Sequence, residues 1–128
     1  MTTITAAKTI TGQKVRTSNQ HVEAIAGLWQ DVLQWKLQGE LFAVYTNYES
    51  DYTGEYDLIV GGEGEIPQGQ VQVLIPEGSY HVVEVETADP QGVFKAWQQI
   101  WSSGIPRAYT TDFEHYAADG SIRIYLSV

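Results

Sequence analysis

The chain has 128 residues and no cysteine, and its 7 Lys+Arg against 16 Asp+Glu give a formal net charge of −9. A hydrophobic content of 43% at this length suits one domain, 1–128, with a single core, and the absence of cysteine removes disulfides, thiolate metal sites and a cysteine nucleophile. The acidic balance argues against a nucleic-acid partner, because affinity for a phosphate backbone comes from Lys and Arg displacing counterions. Between Lys36 and Lys95 there is not one Lys or Arg. A cation is therefore the natural ligand class, although an acidic surface also serves solubility alone. No charged and apolar leader opens the chain, and no apolar run approaches the ~18 residues of a membrane span, so a cytoplasmic protein with no membrane partner is expected.

In chain order, residues 3–11 form a short β-prone run with Ile4 and Ile10, followed by a polar connection over 12–18. From about 20 to 38 an amphipathic helix is predicted, since Val22, Ile25, Ala26, Trp29, Val32 and Leu33 recur at three-and-four spacing. Ser18 or Asn19 is its N-cap and Gly39 lies just past its end. Trp35 falls with Leu28 at the edge of this helix, off the stripe centred on Trp29, where a groove between helices would be lined. Trp29, Trp97 and Trp101 lie nearer the stripe centres and read as core. Residues 41–48 read as a strand, 49–55 as a loop and 56–60 as a returning strand, which makes the first half βαββ.

Residues 61–69 are rich in Gly and Pro and read as the connection between halves, 1–60 and 78–128, with 61–77 between them. Residues 71–74 can add a short strand. A valine-rich β run over 80–86 leads to Asp89-Pro90, a helix start with Pro at the first helical position. Val93, Phe94, Trp97, Ile100 and Trp101 carry the second helix, which stops at Gly104. Residues 109–128 form a hairpin, because Asp119-Gly120 between alternating runs signals a two-residue type I′ turn.

That turn sets the register. It places Glu114 opposite Tyr125 and Phe113 opposite Leu126, with Phe113, His115, Ile122, Ile124 and Leu126 on a core face. Asp112, Glu114, Tyr116, Arg123 and Tyr125 share the other face, which is either plain surface or a binding groove. The halves also repeat: one constant offset lays Ile25 on Val93, Trp29 on Trp97, Val32 on Ile100, and Tyr45 to Tyr48 on Phe113 to Tyr116. The fold class is thus α+β, two βαββ modules related by a pseudo-twofold axis, forming an antiparallel sheet with two packed helices and a groove where the halves meet. Tyr48 and Tyr116 occupy equivalent places and are either opposing groove walls or sheet surface.

The whole pattern resembles the effector-binding domain of multidrug-sensing and AraC-type transcription regulators and of GyrI-like small-molecule-binding proteins. The resemblance is carried by the duplicated module, the Tyr-rich stretch from Tyr45 to Gly62, Ile75-Pro76-Glu77-Gly78-Ser79-Tyr80, the Trp97 to Trp101 helix, and Asp112-Phe113-Glu114-His115-Tyr116 followed by Ile124-Tyr125-Leu126. It is also similar to a stand-alone cation-binding form of that domain encoded on integron gene cassettes. The resemblance implies that Glu114 projects into an aromatic-lined groove and pairs with lipophilic cations. Beside it, Tyr125, Tyr48, Tyr116 and Trp35 are the candidate ligand-binding residues. No helix-turn-helix precedes the domain, so regulator function is not expected to carry over.

Other chemistries fit less well. Asp112 and Glu114 lie two apart on one strand, whereas glycosidase carboxylates normally flank a cleft from different elements. His21, His81 and His115 lack metal-ligand spacing, and no cofactor, metal or catalytic residue is assigned. The 61–64 run lacks the Lys and Ser/Thr of a phosphate loop. The remaining competitors come from the resemblance: a GyrI-like hydrolase using Glu114 as general acid or base on an electrophile, or a gyrase-inhibitor-like protein-binding module.

Overall fold

The computed structural model describes residues 2–5 (backbone only), 7–35, 39–50, 53–63, 66, 69–89 and 91–128. The described residues form eight strands and two helices: β1 (Thr2–Thr5), β2 (Lys8–Ser18), α1 (Val22–Leu33), β3 (Leu41–Thr46), β4 (Glu55–Glu63), β5 (Val71–Ile75), β6 (Gly78–Glu84), α2 (Gly92–Ser103), β7 (Thr111–Tyr116) and β8 (Ile122–Ser127). The strands form one sheet in the order β1-β6-β8-β7-β3-β4-β2-β5, antiparallel at every step. The α+β duplication is plain in this order. β2-α1-β3-β4 and β6-α2-β7-β8 are the two modules, and they meet at the β3–β7 pair, where Ala43 lies opposite Glu114.

Each module also has a leading strand, and the two are exchanged. β1 precedes the first module but pairs with β6 of the second, and β5 precedes the second but pairs with β2 of the first. β5 and β6 lie toward opposite ends of the sheet, yet only Pro76 and Glu77 separate them in sequence. The sheet must therefore curl until its two ends approach, and the Tyr80 hydroxyl ties that corner by donating to the Pro76 carbonyl at 2.7 Å. Curling buries the face turned away from the helices, where Ile10, Phe42, Val44, Ile59, Ile75, Tyr80 and Phe113 form one core cluster. The opposite face carries the helices, with one cluster under α1 around Leu28, Val32, Leu58 and Val60, and another under α2 around Trp97, Ile100, Ile124 and Leu126.

Several boundaries differ from the sequence reading. Residues 12–18 are strand, because β2 continues to Ser18 along β4 and is also paired with β5. Ser18 is therefore not a helix cap, and Asn19 accepts from the Tyr56 hydroxyl at 2.7 Å. α1 starts after His21 with no side-chain cap. The helix ends at Leu33, Gly39 has φ +87°, and 36–38, the expected last turn, lie outside the described residues, as does Pro90. Gly104, at φ +74°, ends α2 as expected. Gly61 and Gly62 belong to β4 rather than to a linker: Gly61 sits opposite Gly12 on β2, and a Cβ on either would collide with the other strand's backbone. Among the described residues, no helix is long and apolar enough to cross a membrane.

The terminal hairpin has a three-residue loop, not two. Ala117 N donates to the Ser121 carbonyl at 2.9 Å, Gly120 N donates to the Ala117 carbonyl at 3.0 Å, and Gly120 alone in the loop has positive φ, at +92°. Asp119 Oδ1 accepts from Ser121 N and Ser121 Oγ, which fixes this loop. The pairing shifts by one residue, so Phe113 faces Tyr125 and Glu114 faces Ile124. A one-residue shift exchanges the faces of β8.

Candidate functional site

The two helices stand apart over the centre of the sheet and leave a cavity of about 720 Å³ between them. α1 contributes Val22, Ile25, Ala26 and Trp29 to one wall, and α2 contributes Val93, Phe94, Trp97 and Trp101 to the other. The floor comes from the sheet: Tyr45 on β3, Tyr56 on β4, and Glu114 and Tyr116 on β7. Alternation along β3 turns Leu41, Ala43 and Tyr45 toward the helices. Tyr48 would point away on the same count, but Asn47 takes a left-handed conformation, φ +52°, and Tyr48 turns back into the cavity. The Asn47 side-chain amide donates to Asp57 at 2.8 Å and the Asn47 backbone carbonyl accepts from Arg16 at 2.6 Å, which holds that turn.

Glu114 lies at the bottom of this aromatic enclosure and is 2% exposed. Its Oε2 accepts from the Tyr45 hydroxyl at 2.8 Å and from Trp97 Nε1 at 2.6 Å, and its Oε1 accepts from the Tyr116 hydroxyl at 2.5 Å. Among the described residues no cationic side chain pairs with it. Burial raises its pKa above the ordinary carboxylate value, and the bonds from Tyr116, Trp97 and Tyr45 hold it down only in part. The same burial, with the neighbouring carboxylate, pushes the hydroxyls of Tyr45 and Tyr116 up, and that of Tyr56 to about 12. The rings that donate to Glu114 are therefore neutral and stay protonated. They also pack on one another: Tyr45 against Trp97 and Tyr56, each with centroids 5.3 Å apart, and Trp29 edge-on to Tyr116 at 5.0 Å.

Asp112, two residues before Glu114 on the same face, is treated differently by its surroundings. It is wholly buried and paired with Arg107 at 2.6 Å, while Tyr48 donates to it at 2.6 Å and Ser127 donates through N at 2.7 Å and Oγ at 2.9 Å. Its charge is answered within the protein. That of Glu114 is met, among the described residues, by neutral donors.

Of the residues predicted from sequence, Glu114, Tyr48 and Tyr116 are brought together at the cavity. Tyr125 is not, because the hairpin register puts it on the opposite sheet face, where it stacks on Phe113 with centroids 4.5 Å apart. Trp35 is not either: it lies beyond the end of α1 and packs, half-buried, against the cluster around Leu28 and Val32. Trp97 belongs to the core cluster under α2, with Trp101 packed against it and Trp29 against the cluster under α1, as read from the sequence, but all three also line the cavity, since the inward stripes of two separated helices face a gap. Tyr45, Tyr56, Phe94 and Arg107 were missed. The parity of Tyr45 with Ala43, and of Tyr56 with Leu58 and Val60, is the signal that finds the first two. His115 lies on the face away from Glu114, stacked on Phe42 at 4.6 Å, with Nε2 3.1 Å from Glu40. Among the described residues no group of three His, Asp or Glu is placed to hold a metal.

A curled antiparallel sheet carrying two helices over two repeated modules is the fold this chain shares with effector-binding proteins. Within it, the chain belongs to the family of integron-associated effector binding proteins, Cass2, whose pattern matches residues 4–128. The integron cassette protein VCH_CASS2, from the mobile metagenome of Vibrio cholerae, is 30% identical with a TM-score of 0.86, over 100% of this chain and 94% of that one. The fold recurs in SAV2435, solved bound to tetraphenylphosphonium, at 17% identity and TM-score 0.71, over 98% of this chain and 91% of that one. It recurs again in a transcription regulation protein from Staphylococcus aureus MU50 at 17% identity and TM-score 0.74, over 98% of this chain and 95% of that one. No curated protein matches the chain.

Proposed function

We propose that this protein binds lipophilic cations in the cavity between α1 and α2, with Glu114 as the counter-charge and Tyr45, Tyr48, Tyr116, Trp29 and Trp97 as the aromatic walls. The observation that carries the reading is a buried carboxylate held by three neutral donors and no cation among the described residues. A ligand cation supplies the Coulomb energy that desolvation has removed, and the ring faces add cation–π attraction of ~2 kcal/mol or more when desolvated. A delocalised, weakly hydrated cation suits such walls better than an ammonium that keeps its water. The tetraphenylphosphonium bound by the structurally similar SAV2435 is of this kind.

Tryptophan quenching tests the reading directly, since Trp29, Trp97 and Trp101 line the cavity. Titration with tetraphenylphosphonium should saturate, and the affinity should fall about tenfold or more in Glu114→Gln. Tetraphenylborate, an anion of the same shape, should not bind. Equal affinity of wild type and variant, or binding of the borate, would remove Glu114 from the role of counter-charge.

A hydrolase reading draws on the raised pKa of Glu114, which suits a general acid. It is the weaker of the two, because the three donors already take up three of the acceptor positions of the carboxylate. Turnover of a reactive ester or epoxide, abolished in Glu114→Gln with the fold retained, would decide for it.

A further inference from the structure

Glu114 is closed over by its own donors. An ionised carboxylate offers about four acceptor positions, and the Tyr45 hydroxyl, Trp97 Nε1 and the Tyr116 hydroxyl take three of them, at 2.8, 2.6 and 2.5 Å. With 2% of its surface left exposed, the group presents to the cavity mainly its charge. The donors are held in place: Tyr45 packs between Tyr56 and Trp97, Tyr116 meets Trp29 edge-on, and Trp97 belongs to the core cluster under α2. Burial keeps both hydroxyls protonated, so neither becomes an anionic acceptor. The other side-chain acceptors among the described lining residues are neutral: the phenolic oxygens, Gln91, and Asn19, which already accepts from Tyr56.

We propose that this saturation of Glu114 selects the ligand. The cavity takes cations with no N–H at the charged centre, namely quaternary ammonium, phosphonium and N-alkylated heteroaromatic ions, over primary ammonium and guanidinium ions of like size, and the Tyr116 and Tyr45 hydroxyls determine that specificity. The inference rests on the cation-site reading and narrows its ligand class. Where a carboxylate binds an ammonium, free lone pairs accept its N–H groups. Here those lone pairs are used within the protein. A primary ammonium brings three donors; Glu114 has a position for one at most, and each N–H left without an acceptor has given up its water for nothing in return. A donor-free cation has no such loss, because it needs only the charge and the ring faces.

A matched pair of ions makes the test: a primary alkylammonium bearing a triphenylmethyl body, and its N,N,N-trimethyl counterpart. Both are titrated on the alkaline plateau where Glu114 is ionised, and below the pKa of the amine, about 10.4 for a lysine-type group. Wild type should prefer the trimethyl ion by about tenfold or more. The added methyl groups favour that ion through apolar area alone, so the deciding readout is how the ratio changes on substitution. Tyr116→Phe vacates an acceptor position on Oε1 from the cavity side, the primary ion gains a charge-assisted bond there, and the ratio should fall by about tenfold. Tyr45→Phe, which frees a position on Oε2, should lower it likewise. A general loss of affinity cancels in the ratio. A ratio unmoved in both variants, or a wild type that binds the primary ion as tightly as the trimethyl ion, overturns the selection. If either outcome comes with affinities that fall in Glu114→Gln, the cation site stands and the selection alone fails. If neither ion binds, or Glu114→Gln leaves both affinities unchanged, both fail.

Discussion

Trp97 Nε1, on α2, donates to Glu114 Oε2, on β7, at 2.6 Å, and so ties a helix wall of the cavity to the carboxylate at its floor. The bond comes from a neutral group, as do those from Tyr45 and Tyr116. Together they orient the carboxylate without cancelling its charge. Asp112, one alternation away on the same strand, shows the opposite solution, an arginine partner and a full set of donors. Two carboxylates on one strand face thus differ in their partners, one paired with an arginine and one met, among the described residues, by neutral donors.

Cation affinity should depend on pH through Glu114. Its pKa in the free protein is raised, and a bound cation favours the ionised form, so binding must release a proton whenever the free carboxyl is protonated. Affinity for tetraphenylphosphonium should rise with pH up to the raised pKa and be flat above it. Below that pKa it should fall by up to about tenfold per pH unit. Calorimetry in two buffers of different ionisation enthalpy would detect the released proton. A dissociation constant that is flat down to about pH 4 would mean that Glu114 does not titrate against the ligand.

The free protein should be more stable as Glu114→Gln. A carboxyl whose folded pKa is raised above its unfolded value penalises folding when ionised. The penalty is complete above the folded pKa, and it disappears as pH falls to the unfolded value of about 4.3. The variant should therefore gain stability near neutrality, and the gain should shrink on acidification. Urea denaturation at several pH values measures it. A loss of stability near neutrality would show that the three hydrogen bonds outweigh desolvation.

How much of this was legible follows from which signals are local. The helices and the facing of Glu114 away from Phe113 depend on short-range periodicity, and they stand in the structure. The hairpin register did not, because Asp-Gly supports both a two-residue turn, with two positive φ values, and a three-residue loop with Gly120 alone positive. The Asp119 side chain chose the second, and Tyr125 changed face. Tyr48 enters the cavity only because Asn47 breaks the strand period, which no alternation rule anticipates. An inward stripe says that Trp29, Trp97 and Trp101 point inward but not whether packed sheet or open cavity lies there. That depends on the spacing of two helices that the sequence treats separately.

Tyr116→Phe should separate the hydroxyl from the ring. The ring keeps its edge-on contact with Trp29, while Glu114 Oε1 loses its donor. With that bond gone, the pKa of Glu114 should rise further, since Tyr116 is the largest influence holding it down. The pH midpoint of cation binding should move upward, with affinity on the alkaline plateau changed by less than about threefold. An unmoved midpoint would mean that the Tyr116 hydroxyl does not bond the carboxylate in solution.

Two glycines should respond to alanine in opposite directions. Gly61 on β4 faces Gly12 on β2, and a Cβ at Gly61 would lie inside the contact radius of the Thr11 carbonyl oxygen and the Gly12 Cα. Backbone cannot yield as a side-chain tip can, so Gly61→Ala should cost about 2–4 kcal/mol and weaken the β2–β4 pairing where Gly61 meets Gly12. Gly27, in the middle of α1, has nothing within 4 Å of an added Cβ. Gly27→Ala should stabilise by about 0.5–1 kcal/mol, because it removes only the entropy that glycine loses in a helix. Denaturant midpoints at constant m-value measure both, with Gly27→Ala as the reference for a substitution free of collision. Were Gly61→Ala as benign as Gly27→Ala, β2 and β4 would not approach at Gly12 and Gly61.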